Sequence, residues 1–328
     1  MTPEVGRRGP DFLIVGSARS GTTLVQRLAC ELPGVAMPPE THFFDIFLRR
    51  LLLRGAPPFG AARLAEEIDE WRQMVQVRGV DVEPASIVAS LGGRCDSIMD
   101  LFDAIVRHLV PTGTICGEKT PNHLLWWRPI LRALPGLRIV ATVRGPHAVV
   151  ASTLAAPWLT KVVHPRWGAD SYVAIAERWR AEQQIVLAMA EALGAQCLVL
   201  RYEDVVADPA RARQAISRHL GVRGTMPLEE VAGPVIAHPW ETWKADALGD
   251  IHTDRVSTWR GELGTRRSRV ISSVCGRPMR ALDYRTTMSE RIGAAVAAAS
   301  LSPLTQRRRF ALRRGQREYM RWIDGVAL

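Results

Sequence analysis

The stretch that most constrains the fold of this chain is a short apolar run that enters a glycine-containing loop near the N-terminus. Residues 12–15 read FLIV, the loop from Gly16 to Thr23 reads GSARSGTT, and an amphipathic segment follows. A strand that runs into such a loop and then into a helix aims backbone N–H groups and the positive end of the helix at one point. The stretch therefore predicts an anion site, and a tight strand-to-helix turn without a ligand is the alternative interpretation.

The loop differs from the phosphate loop of nucleoside triphosphate enzymes at one fixed position. That pattern is G-x-x-x-x-G-K-[ST], and Thr22 stands where the lysine that reaches the β- and γ-phosphates is expected. The second apolar run of the chain ends in Arg144 rather than in an acidic residue that could hold magnesium. Arg19, inside the loop, supplies a forked positive charge instead. These differences predict a ligand with one phosphate and one further anionic group, bound without a metal ion.

Short apolar runs alternate with helical patterns along the chain. The runs at residues 137–144 and 195–204 are rich in branched apolar residues, as strands buried on both faces are. The alternation predicts an α/β fold with a phosphate-loop-like (P-loop-like) central parallel sheet flanked by helices. Residues 43–112 show helical patterns without a strand pattern, which predicts a helical insertion that covers one end of the sheet.

Proline, glycine and aspartate predict where several helices begin, end or bend. A helix is predicted over residues 120–134, with a kink or break at Pro129. The longest helix is predicted to end at Gly194. Another is predicted to begin at Asp208 and to end before Gly221.

The composition bounds the environment of the protein. Its 328 residues are 47% hydrophobic, yet no apolar run approaches the roughly 18 residues that indicate a membrane-spanning helix. The N-terminal segment shows no apolar region of the kind that a secretory signal has. The five cysteines are widely spaced and odd in number, which argues against a disulfide framework and against a metal site. The chain is therefore predicted to be cytoplasmic and without stable membrane insertion.

The net charge of +10 predicts anionic ligands or partners. The last forty residues hold eight arginines against three acidic residues, so half of the excess lies in a basic C-terminal tail. A nucleic-acid-binding or membrane-binding adaptor would need its charge along one folded face, so this distribution argues against a nucleic acid partner. The tail from Gln306 onwards is interpreted as a solvated helix face, with a homodimer contact or an anionic-surface contact as alternatives.

Several blocks of the sequence resemble, in the same order, sulfotransferases that use 3′-phosphoadenosine-5′-phosphosulfate (PAPS). FLIVGSARSGTTLVQRL resembles their 5′-phosphosulfate loop, and IVATVRGPHAVVAS resembles their 3′-phosphate segment. Further blocks that resemble the family are PPETHFFD, CGEKTPNHL, RYEDVVADP, HTDRVSTWRGEL and CGRPMRALDY. The resemblance is closest to bacterial and Golgi-type members, including tyrosylprotein sulfotransferases, because a glutamate rather than a histidine follows the first helix.

The resemblance implies how the donor would be bound. PAPS carries one phosphate and one sulfate at its 5′ end, and the family needs no magnesium, so a loop without the lysine fits this donor. The donor-binding residues that the resemblance implies are Arg19, Ser20, Gly21, Thr22 and Thr23 in the loop, with Arg144, Ser152, Tyr202 and Arg260 elsewhere.

Some of these assignments have alternatives. Tyr202 is either a residue near the adenine or a core aromatic with a tethered hydroxyl. The family usually has an aspartate where this chain has Gly145, which puts the capping of the following helix in doubt. A basic residue that sometimes follows the serine is here Ala156, so either Arg255 or Arg260 is expected to supply a charge to the 3′-phosphate.

Three residues are predicted to take part in the transfer step. Glu40 is the predicted general base that removes the proton of the acceptor hydroxyl, and His42 is the rival base. Lys119 is predicted to stabilise the charge on the leaving bridging oxygen, and Arg19 to share that work. The alternatives are an ordinary helix-start acid for Glu40 and a solvated lysine beside Glu118 for Lys119.

The sequence thus predicts a PAPS-dependent sulfotransferase that acts on a hydroxyl, or less readily an amine, of a small-molecule, glycan or lipid acceptor. Residues 11–285 form the predicted sulfotransferase domain, with the 43–112 insertion covering the acceptor site, and residues 286–328 form the basic helical tail. A nucleotide-dependent kinase on a related loop is the alternative.

Overall fold

A five-stranded parallel sheet forms the centre of the computed structural model, which describes residues 9–76, 82–110, 115–156, 165–224, 249–253, 256–284 and 286–328. In chain order the strands of this sheet are β1 (Phe12–Gly16), β2 (Val35–Ala36), β5 (Ile115–Lys119), β6 (Arg138–Val143) and β7 (Cys197–Arg201). Their spatial order is β2-β5-β1-β6-β7, and every pairing is parallel. The predicted α/β fold with a parallel sheet is confirmed.

Helices cover both faces of the sheet. In chain order they are α1 (Thr22–Cys30), α2 (Leu48–Arg54), α3 (Ala61–Gln76), α4 (Pro84–Ser90), α5 (Ile98–His108), α6 (Trp127–Ala133), α7 (Pro146–Leu154), α8 (Ser171–Leu193), α9 (Tyr202–Ala207), α10 (Pro209–Leu220), α11 (Trp259–Ala281), α12 (Met288–Ala299) and α13 (Pro303–Asp324). As predicted, α8 ends at Gly194, and the Asp208 side chain accepts a hydrogen bond from the Arg211 N–H at the start of α10.

Alternate residues of β1 enter different cores, as a strand buried on both faces requires. Leu13 and Val15 belong to the core that includes the helices before β5, whereas Phe12 and Ile14 pack with α1 and α10. All five residues of β1 are buried. The apolar run at residues 12–15 therefore forms the central strand of the sheet.

Residues 43–112 show no strand pattern in the sequence, but the structure has strands there as well as helices. Two short strands, β3 (Phe59–Gly60) and β4 (Arg94–Cys95), form an antiparallel pair there, too short for a periodic pattern in the sequence. The rest of the described insertion is mainly helical, and its core is aromatic. That core includes Phe43, Phe44, Phe47, Trp71 and Phe102, all with 0% exposure.

The helix predicted over residues 120–134 is broken, but not at Pro129. A 3₁₀ helix (Pro121–Trp126) gives way to α6 at Trp127, so Pro129 lies in the first turn of α6. A proline is tolerated there because the first N–H groups of a helix have no partner within it.

The C-terminal helix α13 packs on α8 and is not solvated on every face. Its Arg309 and Arg313 donate hydrogen bonds to the carboxylate of Glu177, whose side chain is fully buried. Arg180 of α8 binds the same carboxylate. The interpretation of the tail as a solvated helix face is wrong for this side of α13, because its arginines neutralise a buried acid.

Within the described ranges, no helix is both long enough and apolar enough to cross a lipid bilayer.

Candidate active site

The residues predicted for the site meet at one edge of the sheet. The loop begins where β1 ends, Lys119 is the last residue of β5, Arg144 follows β6 and Tyr202 follows β7. Because these strands are parallel and adjacent, their carboxyl ends lie side by side. Ligands of open α/β sheets bind at that edge, so the site lies where this architecture predicts it.

Left-handed backbone conformations shape the loop. Arg19 has φ 70° and Gly21 has φ 91°. A Cβ atom added to Gly21 would lie 2.3 Å from Cδ2 of Tyr202, so close packing as well as conformation requires glycine at this position. The Ser17 hydroxyl accepts a hydrogen bond from Gln183 of α8 at 2.7 Å, which ties the loop to that helix.

Several features of the loop suit an anion. Gly21 caps α1 without a side-chain hydrogen bond, and the first turn of α1 holds no acidic residue. Among the residues that the structure describes, the fully buried Ser20 Oγ has no hydrogen-bond partner. A buried hydroxyl without a partner is costly, and a phosphate or sulfate oxygen would satisfy it.

The loop contacts the segment that was predicted to hold a second phosphate. Arg19 Nε donates a hydrogen bond to Ser152 Oγ at 2.9 Å, and Arg144 Nη1 donates to the Arg19 carbonyl at 3.2 Å. The Arg144 guanidinium lies 4.3 Å from the centre of the Tyr202 ring. The structure thus brings together four residues predicted from separate parts of the chain.

Tyr202 is 9% exposed and packs in the core beneath Gly21. The core interpretation therefore describes its position, and a contact with adenine stays a prediction. Arg260 is exposed at the start of α11, with its guanidinium 5.3 Å from the centre of the Trp259 ring. Its role at the 3′-phosphate also stays a prediction, and Arg255 lies outside the described residues.

Glu203, for which the sequence predicts no role, accepts two hydrogen bonds beside the site. Its Oε1 accepts a hydrogen bond from the Gly145 N–H at 2.9 Å, and its Oε2 accepts one from the Tyr284 hydroxyl at 2.8 Å. Gly145 caps α7 without a side chain of its own. A distant carboxylate therefore holds the start of α7 where the family usually has an aspartate.

Glu40 and Lys119 form a buried ion pair. Lys119 Nζ donates a hydrogen bond to Glu40 Oε1 at 2.5 Å, and the lysine side chain is fully buried while that of Glu40 is 15% exposed. His42 Nε2 lies 3.0 Å from the other oxygen of Glu40. Lys119 is therefore not a solvated lysine, and both oxygens of Glu40 are oriented.

His42 bridges two carboxylates. Its Nδ1 lies 3.1 Å from Asp45 Oδ2, on the side opposite Glu40. Burial alone would lower the pKa of His42, but hydrogen bonds to Asp45 and Glu40 outweigh burial and raise it above 6.5. A protonated imidazole donates a hydrogen bond to each acid, which suits a residue that positions Glu40.

Glu118, which the sequence analysis noted only as a neighbour, anchors this cluster. It is fully buried, and it accepts hydrogen bonds from the hydroxyls of Thr41 at 2.9 Å and Thr120 at 2.6 Å. His123 Nδ1 lies 2.9 Å from its other oxygen. Burial would raise the pKa of Glu118, but His123 and these hydroxyls hold it below its usual value. Glu118 thus ties the segment that carries Glu40 to β5.

The polar cluster continues to α8 through Asn122. Its amide nitrogen donates to Asp45 Oδ2 at 2.9 Å, and its amide oxygen accepts from Arg178 Nη2 at 2.8 Å. Arg178 also donates to Glu182 at 2.6 Å. The i, i+4 spacing of Arg178 and Glu182 was a visible signal in the sequence, but it did not show what the pair contacts.

No group of three or more histidine, cysteine, aspartate or glutamate residues that could hold a metal ion occurs in the part of the chain that the structure describes.

Comparison with known proteins identifies the family. The model of the sulfotransferase family matches residues 10–226, which is more than half of the chain. The sulfotransferase domain of the Synechococcus PCC 7002 olefin synthase is 19% identical, with a TM-score of 0.59, over 88% of this chain and 99% of that one. The sulfotransferase domain from the curacin biosynthetic pathway is 17% identical, with a TM-score of 0.59, over 86% and 100%.

At these identities the two structures show a shared fold. No curated protein matches the sequence of this chain. The family match and the shared fold support no assignment to the tyrosylprotein subgroup, so that part of the resemblance stays a prediction. The family model, the parallel sheet and the order of the motifs agree: the chain belongs to the sulfotransferase family.

Proposed function

We propose that this protein transfers a sulfuryl group from PAPS to the hydroxyl of an acceptor. The observation that carries the proposal is the placement of two groups at one edge of the sheet. The Arg19–Ser152 contact beside Arg144 offers cationic and hydroxyl donors for phosphate and sulfate, and the Glu40–Lys119 pair lies at the end of the neighbouring strand β5. One group suits a doubly anionic donor and the other suits proton transfer.

The donor is assigned to the loop, to Arg144 after β6 and to Ser152 near the end of α7. Ser20, Thr22, Thr23 and the N–H groups at the start of α1 would hold the 5′ end, with Arg19 reaching from the loop to Ser152. Arg144 and Ser152 would hold the 3′-phosphate, the one by a charge-assisted hydrogen bond and the other by a neutral one. When bound, PAPS supplies the sulfuryl group and a bisphosphate leaving group.

Glu40 is the proposed general base, and His42 positions it. Glu40 takes the proton of the acceptor hydroxyl as the acceptor oxygen bonds to sulfur, while the bond from sulfur to the phosphate oxygen breaks and leaves its electron pair on that oxygen. Lys119 stabilises the charge that develops there. His42 faces carboxylates with both ring nitrogens, so it is less suited than Glu40 to receive the proton.

The test combines donor binding with turnover. Calorimetry measures binding of adenosine-3′,5′-bisphosphate, and ³⁵S transfer from labelled PAPS is followed over alcohols, phenols, sugars and a tyrosine peptide. We expect Glu40→Gln to lower kcat by roughly 10²- to 10⁴-fold and Lys119→Met by about 10²- to 10³-fold, because the proton acceptor and the charge stabiliser are lost.

The matched control is Glu70→Gln. Glu70 is a half-buried acid in ion pairs with Arg50 and Arg54, outside the Glu40 cluster, and its substitution should leave kcat unchanged. The proposal fails if the protein neither binds the bisphosphate nor transfers sulfate to any acceptor. Phosphoryl transfer from ATP that requires magnesium would favour a kinase instead.

A further inference from the structure

A cavity of about 230 Å³ adjoins the phosphate loop on the side of α7 and α8. Its walls are mainly apolar and come from the loop, α7, α8, the segment before α8, and α13. The apolar lining residues include Ala18, Val149, Trp167, Ile175, Trp179 and Leu312. Val149, Ile175 and Trp179 are nearly fully buried, so this part of the cavity has fixed walls.

The cavity adjoins the donor-binding half of the proposed site and is joined by hydrogen bonds to the half that holds Glu40. Ala18 belongs to the loop, and Thr153, which also lines the cavity, follows Ser152 directly. Trp179 donates a hydrogen bond to the Arg144 carbonyl at 2.9 Å. Arg178 lines the cavity and is joined through Asn122 and Asp45 to His42, which holds Glu40. An occupant of the cavity would therefore contact the donor loop directly and the group that holds the proposed base through Arg178.

The chemistry of the walls restricts the occupant. A hydroxylated sugar would leave most of its hydroxyls against Val149, Ile175 and the tryptophans, where each unmatched group costs about 1–3 kcal/mol. The polar lining residues are Thr153, Arg166, Arg178, Glu182 and Gln316. Arg178 binds Glu182 and Asn122, and Thr153 donates to the Val149 carbonyl, which leaves few polar groups for the several hydroxyls of a sugar. A cavity of about 150 Å³ is known to hold benzene, so about 230 Å³ holds one substituted ring or a short alkyl chain.

We propose that this cavity, called here the acceptor cavity, binds the acceptor of the proposed sulfuryl transfer, and that the acceptor is an alcohol or phenol with a compact apolar body. The inference rests on the proposed function and adds the class of the second substrate. It also makes Leu312 of the C-terminal helix a determinant of acceptor size.

The experiment measures KM and kcat of the full chain for 1-hexanol, 1-octanol and 4-propylphenol, with N-acetylglucosamine and a tyrosine peptide as polar acceptors. We expect the three apolar compounds to be sulfated, with kcat/KM at least tenfold above that of the polar acceptors. Leu312→Trp should raise KM for 1-octanol and 4-propylphenol about tenfold and leave kcat and bisphosphate affinity unchanged. Leu312→Ala, which enlarges the cavity, should raise the octanol-to-hexanol ratio of kcat/KM.

The matched control is Leu304→Trp, an exposed leucine of the same helix that does not line the cavity. It should leave all three KM values unchanged, and thermal unfolding checks that each variant is folded. Bisphosphate binding separates the two proposals. If the protein binds the bisphosphate but sulfates only polar acceptors, sulfates none of the panel, or shows the same KM in Leu312→Trp, the acceptor inference is overturned. If it does not bind the bisphosphate and transfers no sulfate, the proposed function falls as well.

Discussion

At the scale of single residues, His42 shows how this site orders its charges. It lies between Glu40 and Asp45, and its φ of 48° is in the left-handed region. From this conformation one imidazole contacts both acids. Both contacts raise the pKa of His42 and so favour the protonated ring, which makes His42 a stabilising cation as well as a positioning residue.

His42→Asn tests this assignment. Asparagine tolerates a left-handed backbone, so the change removes the imidazole without adding strain. The raised pKa means that the stability supplied by the charge is fully present below pH 6.5 and is lost as pH rises through the pKa of the folded state. The difference in unfolding free energy between wild type and His42→Asn, from urea titrations, should therefore shrink between pH 6 and pH 9.

His219→Asn is expected to change the pH dependence of stability in the opposite direction. Burial and the nearby Arg138 lower the pKa of His219, so this residue destabilises the fold as pH falls below 6.5. The wild type should lose stability relative to His219→Asn as pH falls. An equal pH trend in the two variants would contradict the role of His42 as a stabilising cation.

At the scale of elements, the turn from β1 into α1 depends on contact with α9. Tyr202, the first residue of α9, occupies the space that a side chain at Gly21 would need. The Arg144 guanidinium lies against the same ring. The position of the loop therefore follows from the packing of three strand ends and not from the loop sequence alone.

Gly21→Ala should destabilise the protein by about 1–3 kcal/mol through the strained backbone alone. The collision of the added Cβ with Tyr202 should increase this loss. Gly34→Ala is the matched control, since Gly34 also has a positive φ, 71°, but nothing lies within 4 Å of its Cβ position. We expect Gly21→Ala to lose bisphosphate affinity as well, at least tenfold by calorimetry, and Gly34→Ala to keep it. Equal stability losses in the two variants would show that the Tyr202 contact is unimportant.

Elements differ in how far the sequence predicts them. The strands β1, β6 and β7 are continuous apolar runs, so their pattern alone predicts them. β5 ends in Gly117, Glu118 and Lys119, whose burial depends on partners far along the chain, and no local pattern could show it. For the same reason the resemblance predicts Glu40 and Lys119 individually, whereas their ion pair and the roles of Glu118 and Glu203 appear only when the strands are assembled.

At the scale of the whole molecule, α13 packs the C-terminal end of the chain against α8. Its Arg309 and Arg313 meet Glu177 of α8, a helix that also reaches the loop through Gln183. Burial would raise the pKa of Glu177, but the three arginines around it hold that pKa below its usual value. The acid therefore stays ionised in the fold and depends on these cations.

The double variant Arg309→Ala/Arg313→Ala should lose about 3 kcal/mol of unfolding free energy, because among the described residues it leaves the buried carboxylate with Arg180 as its one cationic partner. Urea unfolding measures this loss. Arg314→Ala is the control, because Arg314 is exposed and pairs with Glu318 of the same helix. A double variant as stable as the control would show that α13 is not held through Glu177.

The position of α13 also bears on how such an enzyme could change its substrate. The groups assigned to the donor lie in the loop, directly after β6 and in α7, whereas Leu312 and Gln316 reach the cavity from the last helix of the chain. Replacement of residues 303–328 by a segment that keeps Arg309 and Arg313 would alter one wall of that cavity and leave the donor groups in place. The C-terminal segment is thus a natural point for exchange between homologues, and a place where a protein engineer could retune selectivity without redesigning the catalytic centre.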